Sequence, residues 1–235
     1  MKQFKIRASG AYNLMGKKGL GQTGETYIET WLKENIYERS QEFSNKYIKK
    51  GIAKEDDLIK TLGTFMNVKD LKKNEEHFED DFMTGTPDVL PENELSDTVI
   101  DVKNSFDCFT FPLFVKDFIS TEVKTFKTVE DKIVKTIYAE DYYAQGQVYM
   151  HLTGRTKYKL VYGLMDTPEE IIRKDFKYHN KHNLEYEEFR KDYLYEHLPV
   201  ENRIKVFEFK YDPNYIKTII KRVNEARKYI KKIYE

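Results

Sequence analysis

The chain has 235 residues, of which 40% are hydrophobic and 14% aromatic, enough to build a substantial core and too rich for a disordered chain. Its 40 basic side chains cancel its 40 acidic ones, so net charge gives no support for a nucleic-acid partner, and no apolar run is long enough to cross a bilayer. A lone Cys108 excludes an internal disulfide and an intrachain four-cysteine iron–sulfur or zinc site, and the N-terminus lacks the apolar stretch of a signal peptide; the expected setting is a reducing cytoplasm, with any metal held by oxygen.

In chain order, Arg7-Ala8-Ser9-Gly10 opens a helical pattern, with Ser9 the expected cap. The glycine-rich stretch from Gly16 to Gly24 lacks the Gly-Lys-Ser/Thr ending of a phosphate loop and leads into a second helix starting near Thr23, carrying Glu25, Tyr27 and Trp31. A third helix is expected from about Gln41 past Leu62. It places Phe43, Tyr47, Ile48, Ile52, Leu58 and Ile59 at helical spacing, with Gly51 as an interruption and Glu55 on it. Acids gather between Asn74 and Asp81, and Thr84-Gly85-Thr86-Pro87 forms a turn ending at Asp88.

A strand follows over Asp97 to Val102. The phenylalanine-rich segment from Phe106 to Thr128 reads equally as an inserted hairpin or a loop over a site. A helix is expected over Glu140 to Leu152, a strand over Lys159 to Met165, helical pieces within Asp166 to Leu198, and a strand over Ile204 to Tyr211. The closing helix carries Ile216, Ile219, Ile220, Val223, Ile230 and Ile233 on one stripe and lysines and arginines elsewhere. This order predicts an α/β fold, a central mixed β-sheet flanked by helices. One domain over 1–235 is expected, with a helical part at about 1–80, a catalytic core at about 81–168, and a C-terminal strand and helix at about 200–235.

The chemistry lies in a spaced set of polar residues. Asp101 and Lys103 sit two apart in the apolar run Val99-Ile100-Asp101-Val102, so both point to one side of a strand. A buried face that carries carboxylates and an ammonium is costly, and such a cluster persists where it holds a cation or performs chemistry. Glu55, Asp88 and Asp101 supply the hard oxygens that magnesium or manganese requires. Such an ion lowers the pKa of a bound water and neutralises charge on a phosphate, while Lys103 orients the water or stabilises the pentavalent state. That combination hydrolyses a phosphodiester.

The acid-x-lysine triplet alone carries little weight, because Asp70-Leu71-Lys72, Glu122-Val123-Lys124 and Glu208-Phe209-Lys210 repeat it. Asp101 differs in context: it follows a Pro-Asp turn, lies in an apolar strand, and stands between a helix-borne glutamate and a helix bearing Gln145. Each residue also has a plainer reading. Asp88 could close its turn, Asp101 and Lys103 could be an exposed strand pair, Glu55 could belong to a solvated acidic face with Asp56 and Asp57, and Tyr149 could be core packing beside Val148 and Leu152. His77, His151, His179, His182 and His197 form no complete metal-ligand pattern.

These segments together resemble the PD-(D/E)xK nuclease superfamily, in its phage lambda exonuclease and RecB-like (YqaJ-type phage exonuclease) branch. Lys50-Gly51-Ile52-Ala53-Lys54-Glu55 is similar to the first acidic motif, Thr86-Pro87-Asp88 to the second and Ile100-Asp101-Val102-Lys103 to the third. Ala144-Gln145-Gly146-Gln147-Val148-Tyr149-Met150 is similar to the glutamine helix, and Ile6-Arg7-Ala8-Ser9 to the Ala-Ser helix start. The resemblance implies a restriction-endonuclease-like core and a magnesium- or manganese-dependent DNA exonuclease, phage- or prophage-derived, that trims linear duplex DNA for recombination.

By that resemblance Glu55, Asp88 and Asp101 are metal ligands with the Val102 carbonyl assisting, and Lys103 is the catalytic lysine. Gln145 positions the lysine or the scissile phosphate, Tyr149 supports the same helix face, and Arg7 and Ser9 join them as candidate substrate contacts. A ring-like homo-oligomer such as a trimer and a single-strand annealing partner are also implied, in the cytoplasm of a bacterium or phage-infected cell. Two alternatives stand beside this: a RecB-like or restriction-type enzyme cutting internally or on single strands, and a catalytically silent DNA-binding or assembly protein on the same scaffold.

Overall fold

The computed structural model describes residues 2–40, 44–115, 117–118, 128–129, 132–133, 136–137, 140–179 and 184–234. β1 (Ile6–Arg7) leads into a 3-10 helix, Ala8–Leu14, followed by α1 (Gly21–Tyr37), α2 (Lys46–Ala53) and α3 (Glu55–Met66). β2 (Phe78–Glu79), β3 (Met83–Gly85) and β4 (Thr98–Asn104) come next, then the short β5 (Asp117–Phe118), β6 (Thr128–Val129), β7 (Lys132–Ile133) and β8 (Thr136–Ile137). α4 (Glu140–Thr153), β9 (Lys157–Gly163), α5 (Glu169–His179), α6 (Tyr186–Lys191), β10 (Ile204–Lys210) and α7 (Pro213–Tyr234) complete the order. No helix among the described residues is long and apolar enough to cross a membrane.

The architecture is mixed α/β. One three-stranded sheet has the order β10-β9-β4, with β4 parallel to β9 and β10 antiparallel to it; a second has the order β1-β3-β2. β4 reads as a near-continuous apolar run because both of its faces are covered. Val99 points into a core shared with α1, α4 and α7, where it meets Tyr158, Leu160 and Phe207. Ile100 and Val102 point the other way, into a cluster with Leu58, Ile59 and Leu62 of α3. The period of two therefore sends Asp101 to the α4 side of the sheet.

Close approach of α4 to that sheet depends on Gly146. A Cβ there would lie 2.4 Å from the ring of Tyr158, so only glycine lets the wholly buried tyrosine lie against the helix. Gly85 plays the same part for Tyr149, whose ring would stand 2.7 Å from an added Cβ.

The region expected as one long helix is two. Gly51 lies inside α2, and the chain breaks at Lys54, at φ −114° and ψ 7°. Asn45 caps α2 by accepting the Ile48 N–H at 2.9 Å, and the acids Glu55, Asp56 and Asp57 in the first turn of α3 suit the positive end of that helix. Gln41 and Phe43 lie outside the described residues. Leu58 and Ile59 are core as expected, but Tyr47, Ile48 and Ile52 are exposed.

The buried residue of α2 is instead Lys50. Its ammonium donates to the Phe106 carbonyl at 2.8 Å between the rings of Phe106 and Tyr195. Lys46, one turn earlier, contacts both carboxylate oxygens of Asp175, at 2.8 and 3.0 Å. Two lysines thus fasten α2 where an apolar stripe was expected.

Ser9 does not cap: the helix starts after Arg7 without a side-chain cap, and Ser9 is exposed within it. Ile233 leaves the apolar stripe of α7, being 43% exposed, whereas Ile216, Ile219, Val223 and Ile230 are buried. Of the segment left open between hairpin and loop, residues 106–115 form turns and loop, and most of the remainder lies outside the described residues.

Candidate active site

Asp101 is fully buried, and every group that holds it comes from a different place in the chain. Its Oδ2 lies 2.7 Å from Lys103 Nζ, two residues along β4, and accepts a hydrogen bond from the Tyr158 hydroxyl of β9 at 3.2 Å. Its Oδ1 accepts from Gln145 Nε2 of α4 at 3.3 Å, and the same amide donates to the Tyr149 hydroxyl, one helical turn on, at 2.9 Å. A buried carboxylate costs several kcal/mol unless paired and hydrogen-bonded, and these donors supply that compensation.

Asp88 reaches the cluster from the turn after β3. Ile100 exchanges both main-chain groups with Val89, so two residues on Val102 presents its N–H and its carbonyl at the same edge of β4. The Val102 N–H donates to Asp88 Oδ2 at 2.8 Å, which leaves the carbonyl at the edge where the carboxylates meet. Asn74 secures the turn: its main-chain N–H donates to the Asp88 carbonyl at 2.7 Å, and its side-chain amide to the Pro87 carbonyl at 2.9 Å. His77 is bracketed by the Thr84 and Thr86 hydroxyls at 2.6 and 2.9 Å, which fixes the same loop.

Burial, and then the neighbouring Asp101 carboxylate with which it shares a hydrogen bond, push the Asp88 carboxyl well above the usual carboxylate range. Burial alone would lower the Lys103 pKa, but Asp101 and Asp88 outweigh it and hold the ammonium more firmly charged than an ordinary lysine. Tyr158 and Tyr149 are pushed up as well, first by burial and then by Asp101, so both hydroxyls keep their protons; Tyr158 donates to Asp101, and Tyr149 accepts from the Gln145 amide.

A cleft of about 480 Å³ opens onto this cluster. Glu55, Asp88, Val102 and Lys103 line it together with Tyr47, Ile48, Gly51 and Ile52 of α2 and with Tyr142 and Tyr162. Lys103 Nζ sits 5.2 Å from the centre of the Tyr142 ring. Glu55 faces the cleft but its carboxylate turns to Lys73, 3.0 Å away. Among the described residues no group of three His, Cys, Asp or Glu side chains gathers around one point: Asp88 and Asp101 converge, and Glu55 stands apart from them. Arg7 is exposed and pairs with Glu34 at 3.3 Å, and neither it nor Ser9 lines the cleft.

The fold therefore brings Asp88, Asp101, Lys103, Gln145 and Tyr149 together, with the Val102 main chain beside them. It adds Tyr158, Lys73, Asn74 and Tyr142, which sequence reasoning passed over. Asn74 and Lys73 sit in a charged run that reads as solvated surface, and Tyr158 reaches Asp101 only through the register that sets Val99 opposite Tyr158 and Asp101 opposite Leu160.

Comparison with solved structures is decisive for the fold. A phage-related exonuclease from Haemophilus somnus 129PT superposes with a TM-score of 0.74, covering 99% of this chain and 96% of that one at 22% identity. The chain has the fold of a phage-related exonuclease. An alkaline exonuclease from Laribacter hongkongensis, LHK-Exo, gives a TM-score of 0.59 at 14% identity over 97% of this chain and 92% of its own. LHK-Exo in complex with dAMP gives 0.58 at 15% identity, again over 97% and 92%. No protein-family model matches the chain, and no curated protein matches it in sequence.

The donor set suits a hard cation. Two crowded carboxyl groups, a main-chain carbonyl at the same edge and an open cleft offer oxygen ligands and room for water, which is how magnesium and manganese are held.

Proposed function

We propose that this protein is a magnesium- or manganese-dependent DNA exonuclease that hydrolyses phosphodiester bonds of linear duplex DNA. The observation that carries the reading is the buried Asp101, paired with Lys103 at 2.7 Å and crowded by Asp88, behind a cleft that Asp88 and Lys103 line, in a fold shared with exonucleases. Crowded carboxylates are unfavourable in the free protein. A divalent cation would relieve that crowding, and so would substrate-dependent chemistry that needs it.

Asp88, Asp101 and the Val102 carbonyl would hold the cation, with Glu55 joining them from α3. A bound cation supplies charge neutralisation at the phosphate and a water of lowered pKa. The chain's own residues do the rest. Lys103, kept charged by its aspartates, donates hydrogen bonds to an attacking water or to a phosphate oxygen. Gln145 and Tyr158 fix the Asp101 carboxylate in one rotamer, so that neither the lysine nor the ligand oxygens drift. Tyr149 holds the Gln145 amide in turn.

Internal cleavage is the reading to set against this one, and substrate topology separates them. End-labelled linear duplex and closed circular duplex are incubated with magnesium, with manganese or with chelator. Loss of linear DNA from its ends, with circles intact and chelated samples inert, is the expected result; nicked or linearised circles would move the assignment to an endonuclease. A role in phage recombination, an annealing partner and a ring-like oligomer extend the same proposal, and a mass measurement in solution tests the last.

A further inference from the structure

One dipeptide touches two of the acidic residues of the cleft. Lys73 Nζ pairs with Glu55 Oε1 at 3.0 Å, and the next residue, Asn74, holds the turn of Asp88 through the Asp88 and Pro87 carbonyls at 2.7 and 2.9 Å. Asn74 also closes its own loop, donating to the Glu76 carbonyl at 2.9 Å and accepting the Glu76 N–H at 3.2 Å. The backbone that carries Lys73 is therefore anchored to the candidate centre, while its side chain is 46% exposed.

Glu55 is the acidic residue of the cleft that stands apart from the convergent pair, and Lys73 is the group it faces. A partly exposed ion pair of this kind is weak, and a divalent cation that gains the carboxylate from two neighbours' side displaces it readily. Once displaced, the ammonium stays beside the acids Glu55, Asp56 and Asp88 at the cleft, where a substrate phosphate is a further anion for it to meet.

We propose that Lys73 is the resident counter-ion of Glu55, positioned by Asn74, and that it surrenders Glu55 to an incoming divalent cation and turns to a phosphate of the substrate. The substrate half of the inference rests on the nuclease reading; the cation half does not.

Two effects of opposite sign follow from removing the ammonium. Lys73→Met frees Glu55 from a competitor, so calorimetric titration of the full-length protein with manganese alone should show binding about threefold tighter, the size expected for a weak ion pair. The same variant loses a phosphate contact, so KM for linear duplex DNA should rise by a similar factor while kcat stays within twofold. Lys73→Arg should restore both towards wild type. In a Glu55→Gln background Lys73→Met should no longer alter manganese affinity, because the coupling runs through that one carboxylate.

Unchanged or weaker manganese binding in Lys73→Met overturns the counter-ion assignment, as does an equal effect in the Glu55→Gln background, which would mark a general charge effect. An unchanged KM beside tightened manganese binding overturns the substrate half. Should wild type bind manganese yet degrade no DNA, the nuclease reading fails while the titrations still decide the role of Lys73.

Discussion

Lys103 Nζ and Asp101 Oδ2 lie 2.7 Å apart on the same face of β4, the ammonium at the cleft and the carboxylate fully buried behind it. The pair is asymmetric: the lysine can change its partner, whereas the aspartate is held by Gln145 and Tyr158 whatever the lysine does. Lys103→Met should therefore lower kcat by about two to three orders of magnitude, the loss typical of a transition-state donor, while KM changes little. Lys103→Arg should not restore it, since a planar guanidinium does not fit a point contact beside the Tyr142 ring. Steady-state kinetics on a defined duplex checks both, and a variant retaining wild-type kcat would remove Lys103 from the chemistry.

Asp88 should cost the free protein stability. Burial and the Asp101 carboxylate disfavour its charged form, and Asp88→Asn keeps an oxygen for the Val102 N–H while removing the repulsion. In chelator the variant should be more stable than wild type by about 1 kcal/mol, as is common where a strained functional site is relaxed. Addition of manganese should reverse the order, because a ligand at one hundred times its Kd adds about 2.7 kcal/mol to the protein that binds it. Thermal melts of both proteins with and without manganese test this, and a destabilised Asp88→Asn in chelator would contradict it.

Lys50 gives a pH dependence whose sign is fixed. Burial lowers its pKa from 10.5 to about 8, against the pull of Asp166 and Asp107 and with a small push from Lys54. Between those two values the unfolded chain binds a proton that the folded one does not, so stability rises with pH from about 8, by up to about 1.4 kcal/mol per unit. Above about 10 the buried tyrosines, whose folded pKa values are raised, draw stability back down. Denaturant titrations from pH 7 to 10 should show the rise in wild type and not in Lys50→Met; parallel curves would place the lysine in a wetter site than its burial indicates.

Gly146→Ala tests how the helix and sheet are spaced. The added methyl would stand 2.4 Å from a Tyr158 ring that is 1% exposed and has nowhere to move. Overpacking of this kind costs about 1–3 kcal/mol. Because the Tyr158 hydroxyl also holds Asp101, turnover should fall along with the melting temperature, whereas Tyr158→Phe should lower turnover with a smaller loss of stability. Equal stability in Gly146→Ala and wild type would contradict the packing.

The legible parts of the sequence were those with local signatures. β4 announces itself by an apolar run broken by Asp101, and the spacing of two places Lys103 beside it; α4 follows from its length and its position before β9. Local pattern misleads at α2, where Tyr47, Ile48 and Ile52 mimic a core stripe but two lysines do the fastening through Asp175 and the Phe106 carbonyl, partners far along the chain. The same applies to Tyr158 and Asn74. Their roles depend on register and on main-chain carbonyls, which no side-chain pattern records. Glu55 sits in the helix expected for it, yet the salt bridge to Lys73 that occupies it comes from a charged run with no periodicity to set it apart.

The most direct test of the account replaces one buried atom set. Wild type and Asp101→Ala are compared on the same end-labelled linear duplex in magnesium, with circular dichroism to establish that both are folded. Metal-dependent release of labelled nucleotide by wild type, and none above the chelator background by the variant, is the expected result. A folded Asp101→Ala that still degrades the duplex would place the reaction elsewhere in the protein and contradict the central claim.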